Sequence, residues 1–267
     1  MSANRRVIGN FREGLSREAG VAKARKRKKR STITRSEAVR RLGVMLKAIN
    51  SDVEIVLGAE AALEEANSIV RATGGVKRPG VATYNVIAQS LTFNLAMSLA
   101  RLFDPGSKRF KPNDRDLASI PLIVRLLRQK RCQDALARAA RDWIPHMPSI
   151  ADGQEAACRK AAKDAIAAFD AARRDPQGRR GIARLRGMRN KVLAHSFMDE
   201  VYIAMPTYNQ LFRLVDCARD VLAGALFAID GENAALVEIE ALNRKYSKEF
   251  WQYALRLPSG QPRAGGK

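Results

Sequence analysis

The residues best suited to chemistry lie in one short string, RNKVLAH at 189–195. Arg189 is a permanent cation, Asn190 an amide and His195 a group that titrates near neutral pH, all within seven residues. An imidazole in that range can take the proton from a ribose 2′-hydroxyl or return one to a leaving 5′-oxygen. A guanidinium can hold the phosphate and the charge that grows on it. The combination suits phosphodiester chemistry, which in this form needs no metal. No His/Cys cluster and no closely spaced carboxylate group announces a divalent site, so no cofactor or metal is expected. His146, the other histidine, has no acid, cysteine or second histidine at ligand spacing and reads as a surface or packing residue.

Spacing constrains how the pair could meet. Six residues of regular helix turn through about 600°, leaving Arg189 and His195 roughly 120° and about 9 Å apart. Either the helix breaks between them, or a two-fold homodimer unites one pair from each copy in a composite cleft. Asn190 is then placed to hydrogen-bond the phosphate or the imidazole. The approach to the string is cationic: Arg173, Arg174, Arg179, Arg180, Arg184, Arg186, Arg189 and Lys191 face a single acid, Asp175, a charge of +7 over nineteen residues. Such a run steers and holds an RNA backbone, although a solvated helix face is its ordinary meaning.

Composition sets the wider frame. The chain has 267 residues, 46% of them hydrophobic, enough to bury a core, and 48 Lys+Arg against 27 Asp+Glu give a net charge of +21. A polyanionic partner is the first expectation. Only 6% of residues are aromatic, which argues against a recognition surface paved with stacking rings. Cys132, Cys158 and Cys217 are odd in number and far apart, and read as small buried hydrophobes in a reducing cytosol. The first thirty residues lack an apolar leader, so a cytoplasmic protein is expected. The longest apolar run, 221–229, is far short of the roughly 20 residues that span a bilayer, and no membrane partner is expected.

The first 35 residues carry twelve Lys/Arg and two Glu, with KARKRKKR at 23–30 nearly pure cation. Such a block repels itself and predicts a disordered arm over 1–35, either a solubilising tail or a nucleic-acid-binding arm in which Lys26, Arg27 and Lys28 grip phosphates. From Ser36 the apolar spacing turns helical, with Ser51-Asp52 as the cap of a second helix over 53–72. The loop GGVKRPG at 74–80 lacks a preceding strand and the GK[ST] of a phosphate loop, so it reads as a helix stop. Segment 83–103 is the most hydrophobic long helix and is expected to run through the centre of the domain, with Asp104-Pro105-Gly106 ending it. Further helices are predicted at 117–129, 132–143, 154–174, around RNKVLAHS, at 208–229 and at 232–253, with 200–207 an extended connector. No sustained period-two alternation occurs, so the class is all-α: one bundle-like domain over 36–255 and a disordered tail over 256–267.

The string LRGMRNKVLAHSFMDE, following a helix that ends LARLFD and a further helix at 119–127, resembles the Arg-x(4–6)-His pattern of the HEPN superfamily, in particular the AbiU-type abortive-infection branch. The resemblance covers residues 40–230, and the basic first 35 residues have no counterpart in that pattern. It implies an all-α, HEPN-like bundle, usually dimeric, and in many members a metal-independent ribonuclease acting as a toxin or antiphage effector. Arg189 and His195 then match the catalytic pair, and Asn190 the polar residue that follows the arginine. By family analogy an antitoxin partner would neutralise or modify the chain. The reading from another class is an inert helical module that binds RNA or dimerises through the same basic surface. A further alternative is that Arg189 and His195 pair with acids inside the bundle.

Overall fold

The structure is a computed structural model that describes residues 33–72, 81–107, 109–110, 117–191 and 204–255. Among these residues there are eight α-helices and no strand: α1 (Arg35–Ala72), α2 (Val81–Leu102), α3 (Ile120–Leu127), α4 (Lys130–Ala140), α5 (Ala151–Arg174), α6 (Pro176–Lys191), α7 (Tyr208–Asp230) and α8 (Leu236–Ala254). A short 3-10 turn, Pro148–Ile150, leads into α5. The all-α class expected from the sequence is the class observed. Residues 1–32 of the expected arm, the loop at 74–80 and the expected tail at 256–267 lie outside the described residues, as do Lys26, Arg27 and Lys28.

One expected boundary is absent. The two helices predicted on either side of Ser51-Asp52 are a single helix of 38 residues, about 57 Å long at 1.5 Å per residue. Ile49, Val53, Val56 and Leu57 carry the buried stripe through the supposed break without a change of phase. Asp52 caps nothing; its carboxylate accepts from Arg101 at the end of α2, at 2.5 and 3.2 Å.

The centre of the fold is α7, which packs against α1, α2, α3, α4, α5 and α6. Its start is held by a capping box, in which the Thr207 backbone N–H donates to Gln210 Oε1 at 3.2 Å. At its end Gly231 takes a left-handed φ of 71°. Leu211, Leu214, Val215, Ala218, Val221, Leu222 and Ala225 are all buried. Its tightest partner is α5, along a seam of small residues: a Cβ at Gly224 would lie 2.8 Å from the carbonyl oxygen of Ala161 and 3.0 Å from the Ala165 Cβ. Glycine is needed there for close approach. All three cysteines are buried and unpaired, as small core residues. Burial pushes the Cys158 thiol up to about 11 and the Cys217 thiol to about 12, and their Sγ atoms donate to the carbonyls of Ala228 and Ala168.

The central position expected for α2 is therefore corrected. Leu95, Ala96, Leu99 and Leu102 toward its end are buried, but Val86 and Phe93 before them are exposed. The C-terminal part meets α6 and the core, while in the N-terminal part the Tyr84 hydroxyl donates to Asn67 of α1 at 3.1 Å and the Tyr84 ring meets Trp251 of α8 edge-on, with centroids 5.7 Å apart. Hydropathy measures how strongly a helix seeks cover; connectivity decides how many neighbours arrive.

On the flank of α1, α8 is held by packing and by ions. Arg244 pairs with Glu64 and, at 3.2 Å, with Glu240, while Arg219 of α7 reaches Glu240 at 2.9 Å. Beneath this network lies Glu60, only 5% exposed. Burial, reinforced by Glu64, Asp216 and Glu240 against the opposing Arg244, pushes its carboxyl up to about 8.

Candidate nucleic-acid interface

The basic run folds into the end of α5 and the whole of α6, joined by a sharp corner. Asp175 ends α5 in an extended conformation and its Oδ2 accepts from the Gly178 backbone N–H at 2.8 Å. It thereby caps α6, with Pro176 in the first turn where a missing N–H costs nothing. A Cβ at Gly178 would sit 2.2 Å from the carbonyl oxygen of Ala172, so only glycine permits a corner this tight. The residues that end α5 thus also start α6.

Seven and four residues apart, Arg179, Arg186 and Asn190 fall along one outward line of α6, with Arg180 beside it; all four are exposed. Arg179, Arg180 and Arg186 have no ion-pair partner among the described residues. At the end of α5, Arg173 and Arg174 are exposed too. The Arg173 guanidinium lies 5.8 Å from the centre of the Phe169 ring, and Arg174 Nε donates to the carbonyl of Asp170 at 3.3 Å. Arg184 faces another way: its Nη1 donates to the Met205 carbonyl and to Gln210 Oε1, each at 3.2 Å, tying α6 to the start of α7. Lys191 is the last residue of α6, and its side chain lies outside the described residues.

Arg189 is half-buried and leans from α6 toward the end of α2. Its Nη1 forms an ion pair with Asp104, and its Nε and Nη2 donate to Asn190 Oδ1 at 3.1 and 3.0 Å. Of the five guanidinium N–H groups, these contacts occupy three. Asp104 is itself fixed, since its Oδ1 accepts from the Gly106 backbone N–H at 2.8 Å in the turn that stops α2. Ala100, Phe103, Pro105, Ile182 and Leu185 complete a narrow, mainly apolar crevice under Arg186 and Arg189.

Of the predicted triad, the structure brings Arg189 and Asn190 together, whereas His195 lies outside the described residues. His146 is exposed in the turn before Pro148. Asp104 is the residue that motif reading missed as a participant. It was visible as the last letter of LARLFD, but only as a helix stop; the signal was an acid held at the end of a helix that packs against the arginine.

Among the described residues no helix is long and apolar enough to cross a membrane. The family model HEPN_AbiU2, described as AbiU2, matches residues 10–250. The match is wider than the 40–230 over which the motifs suggested a resemblance, and it takes in most of the basic first 35 residues, which were expected to have no counterpart in the family pattern. No curated protein and no solved structure matches the chain.

Proposed function

Because this chain belongs to the HEPN AbiU2 family, we propose that it is a metal-independent endoribonuclease of the toxin or antiphage-defence type, working in the cytoplasm at a cleft shared by two copies. Arg189 holds the scissile phosphate and Asn190 orients it. His195 takes the ribose 2′-hydroxyl proton as the 2′-oxygen attacks phosphorus, and the imidazole returns a proton to the 5′-oxygen as its bond to phosphorus breaks, leaving a 2′,3′-cyclic phosphate. Arg179, Arg180 and Arg186 hold the neighbouring backbone, with Arg173, Arg174, Lys191 and the arm residues Lys26, Arg27 and Lys28 adding electrostatic grip. An antitoxin restrains the activity.

The observation that carries this reading is the state of Arg189: anchored by Asp104 and Asn190, yet with two N–H groups left over, beside a ridge of arginines without acid partners among the described residues. A guanidinium already held in place loses little freedom on taking a phosphate. The test is RNA cleavage by the purified protein in the presence of chelator. The wild type cuts, and Arg189→Ala and His195→Ala each lose about a hundredfold or more. Equal cutting by the variants would sink the assignment.

One observation favours the inert module instead. The Arg189–Asp104 pair ties α6 to the end of α2 and would be useful as a strut alone. In that case Arg189→Ala lowers the melting temperature while RNA binding persists and no cleavage is seen with any variant.

A further inference from the structure

The exposed cations do not stop at the corner between α5 and α6. From Leu117 to Gln133 the chain carries Arg125, Arg128, Lys130 and Arg131 and no acid. Arg128 closes α3, and Lys130 and Arg131 open α4. Asp170 of α5 fixes where that turn lies. Its carboxylate forms an ion pair with Arg128, and its backbone carbonyl accepts from Arg174 Nε at 3.3 Å. One residue thus holds a cation on either side, and the α3–α4 turn continues the basic surface of Arg173 and Arg174. Arg131 is steadied by Gln129, whose Oε1 accepts from its Nε and Nη2 at 3.0 and 2.8 Å. Lys130 is exposed and has no ion-pair partner among the described residues; Asp134, one turn on, pairs with Arg159 at 2.8 Å.

We propose that the α3–α4 turn is a second phosphate-binding patch, and that an RNA strand lying along α6 from Arg189 passes the corner at Asp175 and reaches Lys130 and Arg131. The make-up of the surface selects nucleic acid over an acidic protein. A protein partner needs an apolar centre from which water is excluded. Among the described residues of 117–191 the one large hydrophobic side chain left exposed is Met147, which precedes α5 at the end away from Asp170. A phosphate backbone needs only cations spaced along it. Spacing then sets the length of the ligand. α3 and α4 pack on α5, before the corner, and α6 packs on α2 and α7, beyond it, so the two cationic stretches meet at the corner. α6 has 16 residues, about 24 Å at 1.5 Å each, which about seven stacked nucleotides cover at about 3.4 Å each. The ligand class is therefore an RNA that continues past about seven nucleotides on one side of Arg189, rather than a free nucleotide or a dinucleotide. That this ligand is also the substrate rests on the nuclease proposed above; the patch does not.

Fluorescence anisotropy of the full chain with single strands of 2′-O-methyl RNA, which offer no 2′-hydroxyl to attack, reads binding apart from cleavage. Lys130→Gln with Arg131→Gln lowers the affinity for a strand of about 20 nucleotides about tenfold at about 0.1 M salt. The slope of log K against log salt becomes shallower by about 1.4, from two charges at about 0.7 each. A strand of about eight nucleotides, which α6 alone can hold, loses less than about twofold. Lys130→Glu by itself, at an exposed side chain, keeps the helical circular dichroism and weakens the long strand likewise, which separates a lost contact from a lost fold. Lys245→Gln with Lys248→Gln removes two exposed charges from α8 and changes neither affinity by more than about twofold. Unchanged binding of the long strand, as a patch reserved for an acidic protein would give, overturns the proposal; so does an equal loss for the short strand or an equal loss from the α8 charges. If the wild type cuts no RNA but the long strand responds as expected, the nuclease falls and the patch stands. If RNA is cut in a way that depends on Arg189, and the long strand ignores Lys130 and Arg131, the patch falls and the nuclease stands.

Discussion

α7 and α2 are both long apolar helices, and they end in opposite surroundings. Six helices surround α7, so its apolar residues are spent on the interior of one chain. α2 is without charge over twenty positions, yet Val86 and Phe93 on its outer face are open to solvent. Hydrophobic surface left over in one chain is surface available to another. The contrast separates a helix that holds the fold from one that is only partly drawn into it.

Variants in the two helices should differ most where a charge is introduced. Val221→Asp places an unpaired carboxylate at a fully buried position of α7 and costs on the order of 4 kcal/mol or more. Loss of the cooperative thermal transition is expected, and a folded Val221→Asp protein would break the assignment of α7 as the core. Gly224→Ala comes next. The added methyl meets the Ala161 carbonyl and Ala165, and the melting temperature should fall by about 5 °C, from an overpacking cost of about 1–3 kcal/mol. On α2, by contrast, Val86→Ala should shift the melting temperature by less than about 2 °C, since a valine 63% exposed has little cover to lose. A larger fall would mean that Val86 is covered in the folded protein after all.

Between these extremes lies Glu60. Its proton is held in the fold until about pH 8, whereas the free side chain loses it near 4.5. The folded state therefore binds the extra proton, and stability falls as pH rises from about 4.5 to about 8. Glu60→Gln should raise the melting temperature by about 5 °C near pH 8.5 and leave it almost unchanged near pH 4.5. Equal shifts at both pH values would show that the carboxyl is charged in the fold.

Periodicity located nearly every helix, because buried stripes are local: Leu211 through Ala228 announce α7 from their spacing alone. It misjudged the Ser51-Asp52 step because a capping side chain and an inter-helix partner look alike in one dimension; Asp52 turns outward to Arg101, 49 residues away. The interface divides in the same way. The arginines of α6 and their +7 were countable, yet counting could not separate Arg184, which braces α7, from Arg179, Arg180 and Arg186, which face outward.

What the residues dictated without help is the all-helical class, the cationic stretch and the clustering of Arg189 and Asn190 in one string, since each follows from neighbours in the chain. Which helix became the centre, which acid took Arg189, and which apolar face was left uncovered were settled when distant helices packed. Those outcomes depend on which surfaces meet, and a helix carries the same spacing whether it is surrounded or left open.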